Sequence, residues 1–255
     1  MPSQQEKIAA FRALHAGPGA FIIPNPFDAG SARLLAGLGA KALATSSGAC
    51  AGTLGRRDGR ISRDEALAHS KLVVDAVDIP VAADLENGFG HAPDYAAETV
   101  KLASNTGLVG CSIEDATGLP DQPLYDFDTA VARVAASAAA AKGLRNGFVL
   151  TARTENFLRG NPDLADTIRR LQAFAAAGAD VLMAPGLPDL AAVRAVCAAL
   201  DKPVNFMVGI PGKSFTKADL EAVGVRRISL ATSLWRTAMA ATARAGTEAL
   251  EHGTF

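Results

Sequence analysis

The sequence predicts a (β/α)8 barrel of the TIM type, formed by residues 1–255 as one domain, and three observations lead there. Eight short apolar runs recur along the chain, each followed by a helical stretch, with no break in composition between them. The length, 255 residues, is that of one such barrel. Polar residues suited to chemistry stand at the ends of the second, third, fourth, fifth and seventh runs. A barrel gathers its strand ends into one mouth, whereas the competing open doubly wound sheet would concentrate them at a single switch point.

Taken in order, residues 7–15 read as a short helix, Gly17-Pro18-Gly19 interrupts it, and residues 20–24 supply the first strand. Asp28 is placed to cap a helix over 29–38 that stops at Gly39, and residues 42–45 form the second strand. Its exit, Ser46 to Gly52, reads as a loop of small residues whose amides can converge on an anion. Ser62 and Glu65 have capping-box spacing and start a helix running to about 77. The third strand begins at Pro80 and ends in Asp84-Leu85-Glu86-Asn87-Gly88-Phe89-Gly90, and a helix follows over 93–104. The fourth strand, 108–113, ends in Glu114-Asp115. Residues 116–126, with Gly118, Pro120 and Pro123, form a loop long enough to act as a lid, and 127–144 are helical. The fifth strand, 148–152, ends at Arg153-Thr154-Glu155, and Asn161-Pro162 opens a helix to 176. Strands over 181–184, 204–208 and 227–230 alternate with helices near 189–200 and 217–223, and a last helix spans about 234–252.

Composition excludes several classes. With 49% hydrophobic and 20% charged residues the chain is an ordinary globular one. Lys plus Arg total 25 against 26 Asp plus Glu, so no basic surface is expected and nucleic acid is not a partner. Cys50, Cys111 and Cys197 form no Cys-x-x-Cys pair, which argues against a disulfide framework or a thiolate zinc site and fits a reducing cytoplasm. The first residues lack the apolar stretch of a secretory signal, and the Ala-rich 135–141 segment is too short to cross a bilayer. No membrane role is expected.

At a barrel mouth Asp84, Glu86 and Glu114 would converge, with Asp58 reaching in from the loop after the second strand. In a strand, alternate residues share a face, so Asp84 and Glu86 would point the same way. Four carboxylates without His or Cys favour Mg2+ or Mn2+ over zinc. Asp84 is the expected direct ligand, with Glu86, Glu114 and Asp58 holding metal-bound waters. The alternative is a set of ion pairs with Arg56, Arg57 and Arg153. Arg153 is suited to a bidentate grip on a substrate carboxylate or phosphoryl group, and the amides of Ser47, Gly48 and Ala49 to a second anionic group. Asn205 is either a ligand contact or a satisfied core amide. Cys50 approaches the mouth, whereas His69 and His91 carry no assigned role.

Six motifs in order resemble the isocitrate lyase/phosphoenolpyruvate mutase superfamily over about residues 21–234. They are Asn25-Pro26-Phe27-Asp28-Ala29, Thr45-Ser46-Ser47-Gly48, Gly55-Arg56-Arg57-Asp58, Ala83-Asp84-Leu85-Glu86-Asn87-Gly88-Phe89-Gly90, Ile113-Glu114-Asp115 and Thr151-Ala152-Arg153-Thr154-Glu155. The resemblance implies a Mg2+-dependent barrel with a mobile lid after the fourth strand, an eighth helix exchanged between subunits and a homotetramer built as a dimer of dimers. It also implies cleavage or formation of a carbon-carbon or phosphorus-carbon bond next to a 2-oxo acid, through an enolpyruvate-like intermediate, with Asp58, Glu114 and Arg153 as catalytic residues.

The lid departs from the family pattern. Its carbon-carbon lyases carry a Lys-(Arg/Lys)-Cys-Gly-His motif, and its phosphonomutases and phosphonopyruvate hydrolases a lysine and an asparagine; this chain has Thr117-Gly118-Leu119-Pro120-Asp121-Gln122-Pro123-Leu124-Tyr125. A reaction that needs little from the lid fits best. Decarboxylation of oxaloacetate needs no protein nucleophile, and water or Tyr125 could deliver the final proton. The alternatives are a phosphonomutase or hydrolase and a protein that binds a 2-oxo acid without turnover.

Overall fold

The computed structural model describes residues 2–255. Its strands are β1 (Phe21–Ile23), β2 (Leu43–Ala44), β3 (Val81–Asp84), β4 (Gly110–Glu114), β5 (Ala116–Leu119), β6 (Gln122–Leu124), β7 (Val149–Arg153), β8 (Val181–Met183), β9 (Val204–Met207) and β10 (Arg227–Ser229). Eight of them pair in parallel in the order β1-β10-β9-β8-β7-β4-β3-β2, while β5 and β6 form a separate antiparallel hairpin. The eight-stranded sheet curls into a nearly closed (β/α)8 barrel, as the sequence predicts.

The seam lies between β1 and β2, where Pro24 and Pro26 leave few N–H groups for a ladder. Asn25 closes it with its side chain. Its Nδ2 donates to the carbonyls of Ala44 (3.1 Å) and Thr45 (3.0 Å), its Oδ1 accepts from the Leu230 amide (2.7 Å), and the Ala44 amide donates to the Pro24 carbonyl (3.1 Å). The bottom of the barrel is plugged by α1 (Gln4–Ala16), whose Ile8 and Phe11 pack against Ile23, Ala42, Ala82, Val149 and Val181. Burial of those two side chains is worth roughly 1.5–3 kcal/mol each.

The capping residues read from the sequence are in place. Asp28 caps α2 (Ala29–Gly37), and Ser62 and Glu65 form a reciprocal capping box on α4 (Arg63–Ala76). Three segments differ from expectation. Residues after Ser46 are not a loop but a helix, α3 (Ser47–Thr53), because the Ser46 hydroxyl caps the Ala49 amide and Ala49, Cys50 and Ala51 bury a small apolar face. Cys50 therefore lies in the core and not at the mouth, and burial pushes its thiol up to about 11. The lid is a hairpin: Pro120-Asp121 turns the chain between β5 and β6, and Thr117 Oγ1 accepts from the Leu119 amide (2.9 Å) and donates to the Gln122 carbonyl. The helix expected from Asn161 starts three residues later as α7 (Leu164–Ala176), capped by Asp163.

Between these elements lie α5 (Pro93–Asn105) and α6 (Phe127–Gly143), and after them α8 (Leu190–Ala198), α9 (Lys217–Ala222) and α10 (Ser233–Thr247). No residue of α10 is buried. Among the described residues no helix is long and apolar enough to cross a membrane.

Candidate active site

Three buried residues of β3 carry Asp84 to the C-terminal mouth of the barrel, at the wall of a cavity of about 630 Å3. Four donors fix its carboxylate. Oδ2 accepts from the Ser47 amide (3.3 Å) and hydroxyl (3.1 Å), and Oδ1 from the Ser112 hydroxyl (3.3 Å) and the Glu86 amide (3.4 Å).

Glu86 also lines the cavity, but strand alternation does not bring it there. The strand ends at Asp84, and Glu86 sits at φ +48°, in the left-handed region that side chains other than glycine rarely adopt. The turn is held by Gly88 donating to the Leu85 carbonyl (2.8 Å) and by Glu114 donating to the Glu86 carbonyl (2.9 Å). Burial, with the charges of Asp84 and Asp58, pushes the Glu86 carboxyl up to about 8. Its Oε1 is buried without a hydrogen-bond partner among the described residues. Asp58 enters from the loop after α3, and burial and the Asp84 charge raise its carboxyl. Gly48 makes room for it: a Cβ there would meet Thr232 Cγ2 at 2.7 Å and Asp58 Oδ2 at 3.2 Å. Glu114, at the end of β4, is raised well above the carboxylate range, because burial outweighs the nearby guanidiniums.

Arg153, at the end of β7, faces three carboxylates: Glu155 at 2.5 Å, Glu114 at 3.4 Å and Asp84 at 3.9 Å. Burial disfavours its charge, and these partners more than restore it, so its guanidinium is held protonated far above the ordinary arginine value. Glu155, fully buried, is the partner to which sequence reasoning gave no role; Arg159 reaches the same carboxylate at 3.3 Å. Behind it Asp115 accepts from the Glu155 amide (2.8 Å) and the Thr154 hydroxyl (2.8 Å), locking the turn after β7.

The remaining candidates divide. Ser47 lines the cavity, but its amide is committed to Asp84 and the Ala49 amide to Ser46; Gly48 packs against Asp58 and Thr232 of the lining. Asn205 lines the floor with both ends engaged: Nδ2 donates to Ser229 Oγ (3.0 Å) and Oδ1 accepts from Arg227 Nε (2.8 Å). Tyr125 does not face the cavity. Its hydroxyl meets His91 Nδ1 (2.8 Å) and Asn87 Nδ2 (3.3 Å), and Arg133 stacks on its ring.

A hard divalent cation suits this donor set. The ligands are all oxygen, burial and neighbouring carboxylates raise the carboxyls of Asp58, Glu86 and Glu114, and Glu86 Oε1 is an unmet acceptor. Among the described residues no three His, Cys, Asp or Glu side chains form a closed cage, so such an ion would retain waters, as Mg2+ ordinarily does.

A family model described as Phosphoenolpyruvate phosphomutase matches residues 11–250. The chain belongs to the phosphoenolpyruvate mutase/isocitrate lyase superfamily. Within this superfamily it overlays a crystal structure from Burkholderia cenocepacia J2315, described only as a lyase/mutase, with a TM-score of 0.96 and 52% identity, covering 99% of this chain and 90% of that one. Among curated superfamily relatives, 2-methylisocitrate lyase of Escherichia coli K12 is 30% identical over 203 residues, 76% of this chain and 67% of that protein. Oxaloacetate decarboxylase of Chromohalobacter salexigens is 28% identical over 233 residues, 88% of this chain and 79% of that protein. The members it resembles are lyases and phosphomutases, and the chain is an enzyme of that kind.

Proposed function

We propose that this enzyme decarboxylates oxaloacetate, or a closely related 2-oxo diacid, with the help of Mg2+ or Mn2+. The observation that carries this reading is that the lid has none of the Cys, Lys, His or Asn residues the family's other reactions draw from it. Tyr125 is turned away into Asn87 and His91. Cys111, the one cysteine at the cavity, is buried with its thiol raised by burial, which makes it a poor nucleophile.

Loss of the distal carboxylate as carbon dioxide leaves its bonding electron pair on the remaining three-carbon unit as an enolate, and protonation at carbon yields pyruvate. A divalent cation, which Asp84 would hold, would supply the positive charge that stabilises the enolate. Asp84 orients the site through its four donors, while Glu86, Glu114 and Asp58 position water. Arg153 balances the acids around it and holds a fixed positive edge at the cavity wall. Solvent entering beneath the hairpin delivers the final proton. Named relatives that act on oxaloacetate support the reading, as does the absence of the phosphonomutase lysine and asparagine.

We further infer a cytoplasmic homotetramer, a dimer of dimers that exchanges α10, since beyond Trp235, which packs over Gly52, that helix leaves its apolar side chains uncovered by its own chain. The deciding assay is carbon dioxide release from oxaloacetate, with phosphonopyruvate and 2-methylisocitrate as controls. Turnover with Mg2+ should exceed that of Mg2+ alone by orders of magnitude and vanish with EDTA. Release no faster than the metal-only background refutes the proposal.

A further inference from the structure

Arg227 stands at the start of β10 and points into the barrel, with 6% of its surface exposed, on the floor of the same cavity. Its partners are all neutral. Nε donates to Asn205 Oδ1 (2.8 Å), one Nη to Thr151 Oγ1 (2.9 Å) and the other to His15 Nε2 (3.3 Å). His15 donates from Nδ1 to the Phe11 carbonyl (2.8 Å), which leaves Nε2 as the acceptor. Burial and the charge of Arg227 hold His15 down to about 3, so it adds no charge of either sign near neutral pH. Five N–H groups meet three acceptors, and two N–H groups are left over.

A buried cation with no counter-charge is costly, and such charges in proteins are paired. The contrast with Arg153 is direct. Arg153 is committed to Glu155, Glu114 and Asp84, whereas no carboxylate lies close enough to Arg227 to offset its burial, which lowers it to about 9. Arg227 lines the same cavity as Asp84, together with the short side chains of Ala44, Ala82 and Ser112 and with Met183. The cavity therefore reaches down to it. The path from the acid cluster is short: Asp84 Oδ1 is 3.3 Å from Ser112 Oγ, Ser112 pairs with Thr151 across β4 and β7, and Thr151 Oγ1 is 2.9 Å from Arg227.

We propose that Arg227 is an anion subsite at the cavity floor, flanked by the Thr151 and Ser229 hydroxyls, which receives the distal carboxylate of a 2-oxo diacid whose 2-oxo acid head lies at Asp84. The proposal rests on the reading of the site as one for 2-oxo acids and adds the residue that selects diacids over monoacids. Charge-assisted contact between a guanidinium and a carboxylate supplies the selectivity.

Malate and lactate test it, because both carry the same 2-hydroxy acid head, neither is a β-keto acid that loses carbon dioxide, and they differ by the distal carboxylate. With Mg2+ present, calorimetry on the wild type should give racemic malate an affinity at least about tenfold above that of lactate. Arg227→Met should erase that difference and leave lactate within about threefold of wild type, while Arg227→Lys should retain part of it. Equal losses for both ligands, or no loss for malate, overturn the subsite. If the Met variant does not fold, wild-type crystals soaked with malate and Mg2+ decide: a distal carboxylate hydrogen-bonded to Arg227 supports the proposal, and one directed elsewhere overturns it. Absence of oxaloacetate turnover would sink the decarboxylase reading and leave this binding result intact.

Discussion

Asp84 differs from the other acids of the cluster in that both of its oxygens are already aimed by donors on three separate segments, α3, β4 and the turn after β3. Asp84→Asn preserves shape and removes charge, so the fold should survive while activity falls by at least about 100-fold, beyond the 10–100-fold typical of residues that merely support a ligand. The Mg2+-induced rise in melting temperature should disappear with it. Glu86 makes a second prediction. Its folded pKa, about 8, lies above its unfolded value, so the protonated form stabilises the metal-free protein at low pH and that contribution is lost as pH rises through about 8. Metal-free protein should therefore melt lower at pH 9 than at pH 6, by about 2–4 °C for each kcal/mol. Mg2+ should reverse the trend, binding more tightly at the higher pH because the proton no longer competes. Glu86→Gln should flatten both profiles in a calorimetric pH series. Asp84 and Glu114 were legible in the sequence because each is an acid that ends an apolar run, and Asp58 because it stands in a family motif, Gly55-Arg56-Arg57-Asp58. Arg227 was not, since it lies in Val225-Arg226-Arg227-Ile228 and nothing local says which arginine faces inward.

The hairpin of β5 and β6 shows where element-level reading stopped. Gly118, Pro120 and Pro123 announce a chain reversal but not the pairing of Ala116 with Leu124 and Leu119 with Gln122, which Thr117 organises through a side-chain hydroxyl. Strand and helix order was recoverable because each apolar run is closed by Gly, Pro or a capping side chain, whereas α3 was missed because Ser-Gly-Ala-Cys-Ala-Gly lacks helical periodicity. Thr117→Val removes both hydrogen bonds of that hydroxyl at a cost of about 1 kcal/mol each, confined to the hairpin. Faster amide exchange over residues 116–124, a higher KM and an unchanged global melting temperature are expected. Unchanged exchange there would show that the hairpin is held from elsewhere.

At the scale of the whole molecule, α10 is the element that its own chain does not explain. A 15-residue helix with no buried residue is marginal in water. Its first turn is anchored, because Trp235 packs so closely over Gly52 of α3 that a Cβ there would clash at 2.4 Å. One turn later Met239 is 40% exposed, and Leu250 beyond it 89%. Leaving that apolar stripe in solvent gains nothing, whereas docking it on a second copy buries it at both sites. Light scattering should accordingly give four copies of the 26.1 kDa chain, about 104 kDa, with a melting temperature that rises with protein concentration. Met239→Lys places a charge in the contact and should lower both the mass and the melting temperature while leaving the barrel's circular dichroism intact. A monomer at micromolar concentration, insensitive to Met239→Lys, would mean that α10 folds on its own chain.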